Sequence, residues 1–205
     1  MSKNFLVSDN HFGHKNIIDY ANRPFEVSYK GVEANTEYMI EKWNSVVSKD
    51  DNVIHLGDFG LGWNSKKYKT KRDFYVDILY KLNGKKALLL GNHDRESKSF
   101  YINAGFDTVG TYLIQDNIML NHYPLEINAE FMKPGLINHI NKLKEIYNEK
   151  ECIGLIHGHS HNFIYEDKRF YNVSVECNDY KPQDFEIIKS KFRKRNKNGT
   201  HQRIN

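Results

Sequence analysis

Five short segments of this chain each close an apolar run with side chains that bind metals. They are Asp9-Asn10-His11, Gly57-Asp58, Gly91-Asn92-His93-Asp94, Asn121-His122 and Gly158-His159-Ser160-His161. The runs that lead into them are Phe5-Leu6-Val7, Val53-Ile54-His55-Leu56, Ala87-Leu88-Leu89-Leu90, Ile118-Met119-Leu120 and Ile153-Gly154-Leu155-Ile156. Apolar runs of this length read as strands. In open α/β sheets, ligand sites gather at the carboxyl ends of strands. The pattern therefore constrains the chain to an α/β architecture in which five strand ends converge. Oxygen and imidazole donors without thiolate suit Mn first, with Fe, Zn, Ni or Mg as other fits, and do not resemble a zinc finger. The donors outnumber the needs of one tetrahedral ion, so two divalent ions are expected.

The rest of the chain supplies helices between these strands. Met39, Ile40, Trp43, Val46 and Val47 are spaced for a helix over 36–47, with Asn35 as its N-cap. Phe74, Ile78 and Leu82 predict a helix over 70–82 that stops at Asn83-Gly84. A shorter helix is expected over 15–21, and another over 136–148 from Leu136, Ile140, Leu143 and Tyr147. Residues 111–121 read as a strand pair turning near Asp116-Asn117. Phe170 to Cys177 alternates like a strand, and Pro182 is placed to open a last helix. No internal repeat or low-complexity linker divides the chain. One domain over 1–192 is expected, with a flexible basic tail over 193–205.

Composition excludes some classes. A 39% hydrophobic, 13% aromatic chain of 205 residues is globular and can bury a core. No run of 18 apolar residues is present, so no membrane helix is expected. The amino terminus enters a strand at once and does not read as an export signal. The two cysteines, Cys152 and Cys177, read as buried free thiols, and a cytoplasmic location follows. The net charge of +4 is local. Residues 189–205 hold seven of the 30 Lys/Arg and no acid, which leaves 23 bases against 26 acids, or −3, for the body. A basic tail can touch nucleic acid, although a solvated terminus is the simpler reading.

The ordered set D-x-H, G-D, G-N-H-D, H and G-H-x-H, spread over residues 9–161, resembles the calcineurin-like metallophosphoesterases. Each motif alone is weak; all five in order, each after an apolar run, are specific. The stretch from Ser8 to Ile18, with Arg23-Pro24-Phe25 after it, is similar to a small single-domain branch of bacteria and phages. The resemblance implies two packed mixed β-sheets flanked by helices, a four-layer α/β/β/α sandwich. It implies that Asp9, His11 and His161 hold one ion, that Asn92, His122 and His159 hold the other, and that Asp58 bridges them with its two oxygens. Such ions lie about 3.5–4 Å apart. With a bridging hydroxide the site would carry a net charge near +1 and attract phosphate. In-line attack by that hydroxide would need no Ser or Cys nucleophile.

The resemblance also assigns His93 as the proton donor to the leaving oxygen, with Asp94 orienting its imidazole. His14, Arg23, Arg95 and His157 are candidates for substrate contact or for supporting the ligands, while His55 reads as a core histidine. Trp63 and Tyr123 flank the motifs and are candidates to line a pocket. The second acidic residue that usually follows the G-D motif is replaced by Phe59-Gly60-Leu61-Gly62. The expected activity is hydrolysis of phosphate monoesters or small phosphodiesters, nucleotides included. The alternatives are a nuclease using the basic tail and, least favoured because every ligand is present, a non-catalytic scaffold.

Overall fold

The computed structural model describes residues 2–64, 66–126, 132–196 and 204. Strands β1 (Asn4–Val7), β2 (Asn52–His55), β3 (Lys85–Leu89), β4 (Thr108–Gly110) and β9 (Gln183–Asp184) form one sheet in the order β4-β3-β2-β1-β9. Strands β5 (Tyr112–Gln115), β6 (Ile118–Asn121), β7 (Gly154–His157) and β8 (Phe170–Asn172) form a second, in that order. Each sheet is mixed. β1 to β4 run parallel and β9 antiparallel; β6 to β8 run parallel and β5 antiparallel.

Period-two alternation builds the layers. Phe5 and Val7 face a core shared with helices α2 (Tyr29–Asn44), α3 (Lys71–Lys81) and α4 (Lys98–Ala104), through Trp43, Ile78 and Tyr101. Leu6 faces the other way, into a core between the sheets that holds Leu56, Leu120 and Ile156. Helix α6 (Phe185–Asn196) closes this inter-sheet core with Phe185, Ile188 and Phe192. On the outer side of the second sheet, Met119 and Leu155 pack on α5 (Pro134–Glu149) through Ile140, Leu143 and Tyr147. The result is the expected α/β/β/α sandwich.

Several local expectations shift. Helix α2 begins at Tyr29, capped by Ser28, whose Oγ accepts a hydrogen bond from the Gly31 amide at 3.1 Å. Asn35 lies inside the helix and is buried, so it is not the cap. The first two turns carry few apolar residues, so hydrophobic spacing does not reveal them. Helix α3 starts as expected, with a capping box between Thr70 and Asp73. Asp116 and Asn117 take φ of 54° and 58°, the two left-handed residues of a tight β5–β6 hairpin. Strand β8 ends at Asn172 and is followed by a single 3₁₀ turn over Val175–Cys177. Pro182 precedes the short edge strand β9 instead of opening α6. A boundary at 192 falls inside α6, which runs on to Asn196. Ile204 is buried against the α5 core and exchanges two hydrogen bonds of 3.1 Å with Asn148. Lys197 and Arg203 of the expected tail lie outside the described residues. Both cysteines are free thiols, Cys152 buried and Cys177 half-buried.

Candidate metal centre

The parallel strands bring their carboxyl ends to one edge of each sheet, and the two edges meet. The Ser8 amide donates to the Val173 carbonyl at 3.1 Å, and the Val175 amide to the Ser8 carbonyl at 3.2 Å. Asp9, His11 and His161 thereby come together as one group able to hold an ion. Asp58, His122 and His159 form a second. Within each group the donor atoms lie within 4.8 Å of one another. Asn92 joins the second group, with its Oδ1 at 3.0 Å from His122 Nε2. The Asp58 carboxylate lies between the groups. Its Oδ2 is 3.5 Å from both His11 Nε2 and His122 Nε2.

The backbone at these positions is unusual. Asp9, His11, Asp58, His159 and His161 all have positive φ, between 45° and 69°. Such conformations cost about 1 kcal/mol or more for a residue with a side chain and collect at functional sites. Here they turn the chain sharply at the strand ends, so that Asp9 and His11 reach one group while His159 and His161 reach one each.

Hydrogen bonding leaves the inward-facing atoms bare. Asp9 Oδ2 accepts from the His159 amide and from Ser174 Oγ, both at 2.9 Å, while Oδ1 is buried without a partner. His122 Nδ1 lies 2.9 Å from the Leu56 carbonyl, which can only accept, so Nδ1 carries the proton and Nε2 presents a lone pair. His161 Nδ1 is held in the same way by Glu176 Oε1 at 3.1 Å. Both ring nitrogens of His11 are buried and unpartnered. Burial pushes His11 well below its ordinary pKa and His159 down to about 4, so both rings are neutral and can donate. Burial would raise the Asp9 carboxyl, but His122, His161 and His11 outweigh it and hold it low. Burial pushes Asp58 up to about 7. Bare oxygens and bare lone pairs converging in a buried space are what cations satisfy, and the donor set fits two divalent ions.

Asp58 Oδ1 accepts the His93 amide at 2.8 Å, and Oδ2 is the oxygen set between the two groups. One expectation changes in detail. Asp94 does not orient His93. Its Oδ2 accepts the amides of Asp58 at 2.7 Å and Gly91 at 2.9 Å, and its Oδ1 accepts that of Phe59 at 3.2 Å. With both oxygens on the backbone it staples the β2 and β3 loops together. An added Cβ on Gly91 would overlap Asp58 Oδ1, so close packing demands glycine at that point of the G-N-H-D motif. Phe59, the first residue of the segment that replaces the usual second acid, is fully buried in the core.

The remaining candidates separate by burial. Arg23 is buried and donates to the carbonyls of Asp9 at 2.7 Å and Asn10 at 2.9 Å, so it holds the ligand loop and cannot reach substrate. Its guanidinium also pairs with Glu176 at 2.6 Å. His157 donates to the Gly158 carbonyl at 2.8 Å and braces the β7 loop from behind. His55 donates through Nε2 to Asn10 Oδ1 at 2.9 Å and accepts the Gly57 amide through Nδ1 at 3.2 Å, a satisfied core histidine. His14 lies beside the centre, its ring 5.5 Å from that of His11 and 6.3 Å from that of His93. Arg95 is exposed at the rim, with Nε 3.4 Å from the Asn92 carbonyl. Tyr123 packs edge-on against His122 and His159, with ring centroids 4.8 and 5.1 Å away.

Sequence reasoning missed Ser174 and Glu176. Both follow β8 in a run that looks like continuing strand, and neither belongs to a motif. Partners of this kind fix the tautomer of a ligand histidine. Glu176→Gln is expected to weaken metal binding at the Asp9–His11–His161 group about 10–100-fold. It should also destabilise the fold by about 3 kcal/mol, because Arg23 is left buried without its counter-charge. Metal titration and thermal unfolding check this, and unchanged metal affinity would remove Glu176 from the centre.

Fold and centre together define a two-sheet α/β protein whose converging strand ends carry two groups able to hold metal ions. The chain belongs to the family of the uncharacterized protein MJ1445 of Methanocaldococcus jannaschii, with 33% identity over 195 residues, covering 92% of this chain and 90% of the relative. The protein of unknown function AQ665 from Aquifex aeolicus has a similar structure. Its TM-score is 0.68 at 28% identity, over 93% of this chain and 99% of that one. An overlay on the nuclease MPE of Pseudomonas putida, over 77% of this chain and 61% of that one, reaches a TM-score of 0.45 at 20% identity, too loose to carry function across. No protein-family model matches the chain. Among the described residues, no helix is long and apolar enough to cross a membrane.

Proposed function

We propose that this protein is a calcineurin-like, dinuclear-metal phosphoesterase that hydrolyses phosphate monoesters or small phosphodiesters. The observation that carries this reading is Asp58 Oδ2, set 3.5 Å from one histidine of each group. Two divalent ions bound there would supply positive charge for phosphoryl oxygens and make a water acidic enough to lose a proton near neutral pH.

The chain's own residues supply the rest. Asn92 contributes a neutral amide oxygen and so adds no charge that would repel phosphate. Arg95, with its guanidinium exposed at the rim, can meet a phosphoryl oxygen of the bound ester. His93 is fixed through its amide by Asp58. Its Nδ1 is buried, which leaves Nε2 as the ring nitrogen open to an incoming ester. From Nε2, His93 gives a proton to the leaving oxygen. Burial and the Arg95 guanidinium lower its pKa, which makes the imidazolium a stronger acid once formed.

A small substrate is favoured over nucleic acid by the position of the basic residues. Lys189 pairs with Asp116 at 3.0 Å and with Glu186 at 2.5 Å, and Arg193 lies 3.5 Å from Asp116. Asp116 sits in the hairpin before β6, at the opposite end of that strand from His122. Two free thiols suit a reducing compartment such as the cytoplasm.

Turnover of phosphomonoesters, small diesters and single-stranded nucleic acid, assayed with Mn, tests the reading directly; no turnover of any of them overturns it. His93→Ala should keep its metal and lose about 10²–10⁴ in rate. The loss should shrink for nitrophenyl esters, whose leaving group needs no proton. An equal loss for good and poor leaving groups would contradict the proton-donor role.

A further inference from the structure

Beside the metal centre lies a cavity of about 220 Å³ walled by α2, α3 and the loop after β2. Gly13 and Lys15 line it, while His14 between them turns its ring toward His11 and His93. The cavity therefore opens within a few residues of the ligands His11 and Asp9. Its walls are aromatic: Tyr29 from α2, Trp63 from the loop and Phe74 from α3. Tyr29 is 73% exposed and Trp63 41%, so these rings present faces that no part of the described chain covers. A planar ring stacked on such faces gains about 1–3 kcal/mol.

The polar groups narrow the class of ring. Glu33 Oε1 accepts from Asn64 Nδ2 at 3.3 Å, and its second oxygen has no partner among the described residues. An ionised carboxylate only accepts, so it selects a ring that carries N–H donors. Lys15, next in sequence to His14, lines the cavity, has no acidic partner among the described residues and suits an anion attached to that ring.

We infer that this cavity binds the base of a nucleotide, a base with an exocyclic amino group, while Lys15 and the metal centre meet its phosphate. The phosphate end rests on the phosphoesterase reading; the ring end does not. Calorimetric titration of the full chain in EDTA separates the two, because a nucleoside carries no phosphate and needs no metal. Adenosine is expected to bind saturably and ribose 5-phosphate not to bind. Purine riboside, which carries hydrogen in place of the amino group and has no N–H on that edge, should bind about tenfold more weakly, the share of one hydrogen bond to a charged group. Glu33→Gln should erase the preference for adenosine over purine riboside. Trp63→Ala should weaken both nucleosides about tenfold through lost stacking. Both positions are exposed, and melting temperatures check that the variants fold. Failure of the wild-type chain to bind adenosine, or equal affinity for purine riboside and adenosine, overturns the inference. Nucleoside binding without turnover of any phosphate ester would uphold the ring site and sink the phosphoesterase reading instead.

Discussion

Asp58→Asn is expected to abolish phosphoester hydrolysis while leaving the fold intact. Asparagine has the same shape but only one oxygen. Asp58 uses Oδ1 to accept the His93 amide and points Oδ2 between His11 and His122. If the amide oxygen stays on His93, an NH₂ group replaces Oδ2 and cannot ligate a cation. If it flips, two N–H donors face each other at His93. Either way the atom shared by the two groups is lost. Burial raises the Asp58 carboxyl to about 7, so its charge is penalised in the metal-free chain. The variant without metal should therefore melt no lower than wild type near neutral pH, and Mn should raise the melting temperature of wild type but not of the variant. Turnover close to wild type with two ions still bound would sink the assignment.

Chelation should have the second large effect. EDTA is expected to inactivate the protein, and Mn or another transition ion to restore it, because the donors are all nitrogen and oxygen. The effect should extend to stability. Ions that bind only the folded chain add about 2.7 kcal/mol per site at a hundredfold excess over Kd. In a chain of this size each kcal/mol shifts the melting temperature by roughly 2–4 °C. The inward-facing oxygens and lone pairs of Asp9, Asp58 and His11 are the reason to expect so much from cations. Metal analysis gives the decisive count: two ions per chain at saturating Mn are expected, and at most one would overturn the dinuclear reading.

The meeting of donors at strand ends was legible because each motif directly follows an apolar run, and the layer order was legible only through the family that the ordered motifs resemble. Runs such as Phe5-Leu6-Val7 and Ile118-Met119-Leu120 mark strands, and the residue types that follow show where such strands end. The polar start of α2 and the short β8 were not legible. Both lack a hydrophobic period, the only signal a single sequence offers for such elements.

Sequence by itself determined which side chains can donate to a metal and brought them to strand termini, because motif and strand are continuous in the chain. Only the tertiary structure decided how those donors are used. It gave one Asp58 oxygen to His93 and left the other between the groups, and it turned Asp94 into a staple between loops. It set Arg23 and Glu176, 153 positions apart, behind Asp9 and His161. It enclosed the aromatic cavity between two helices and a loop. These outcomes depend on how one sheet packs on the other and on where α2 and α3 lie against the first. Distances across such packing are fixed by the whole core, and no short stretch of sequence encodes them.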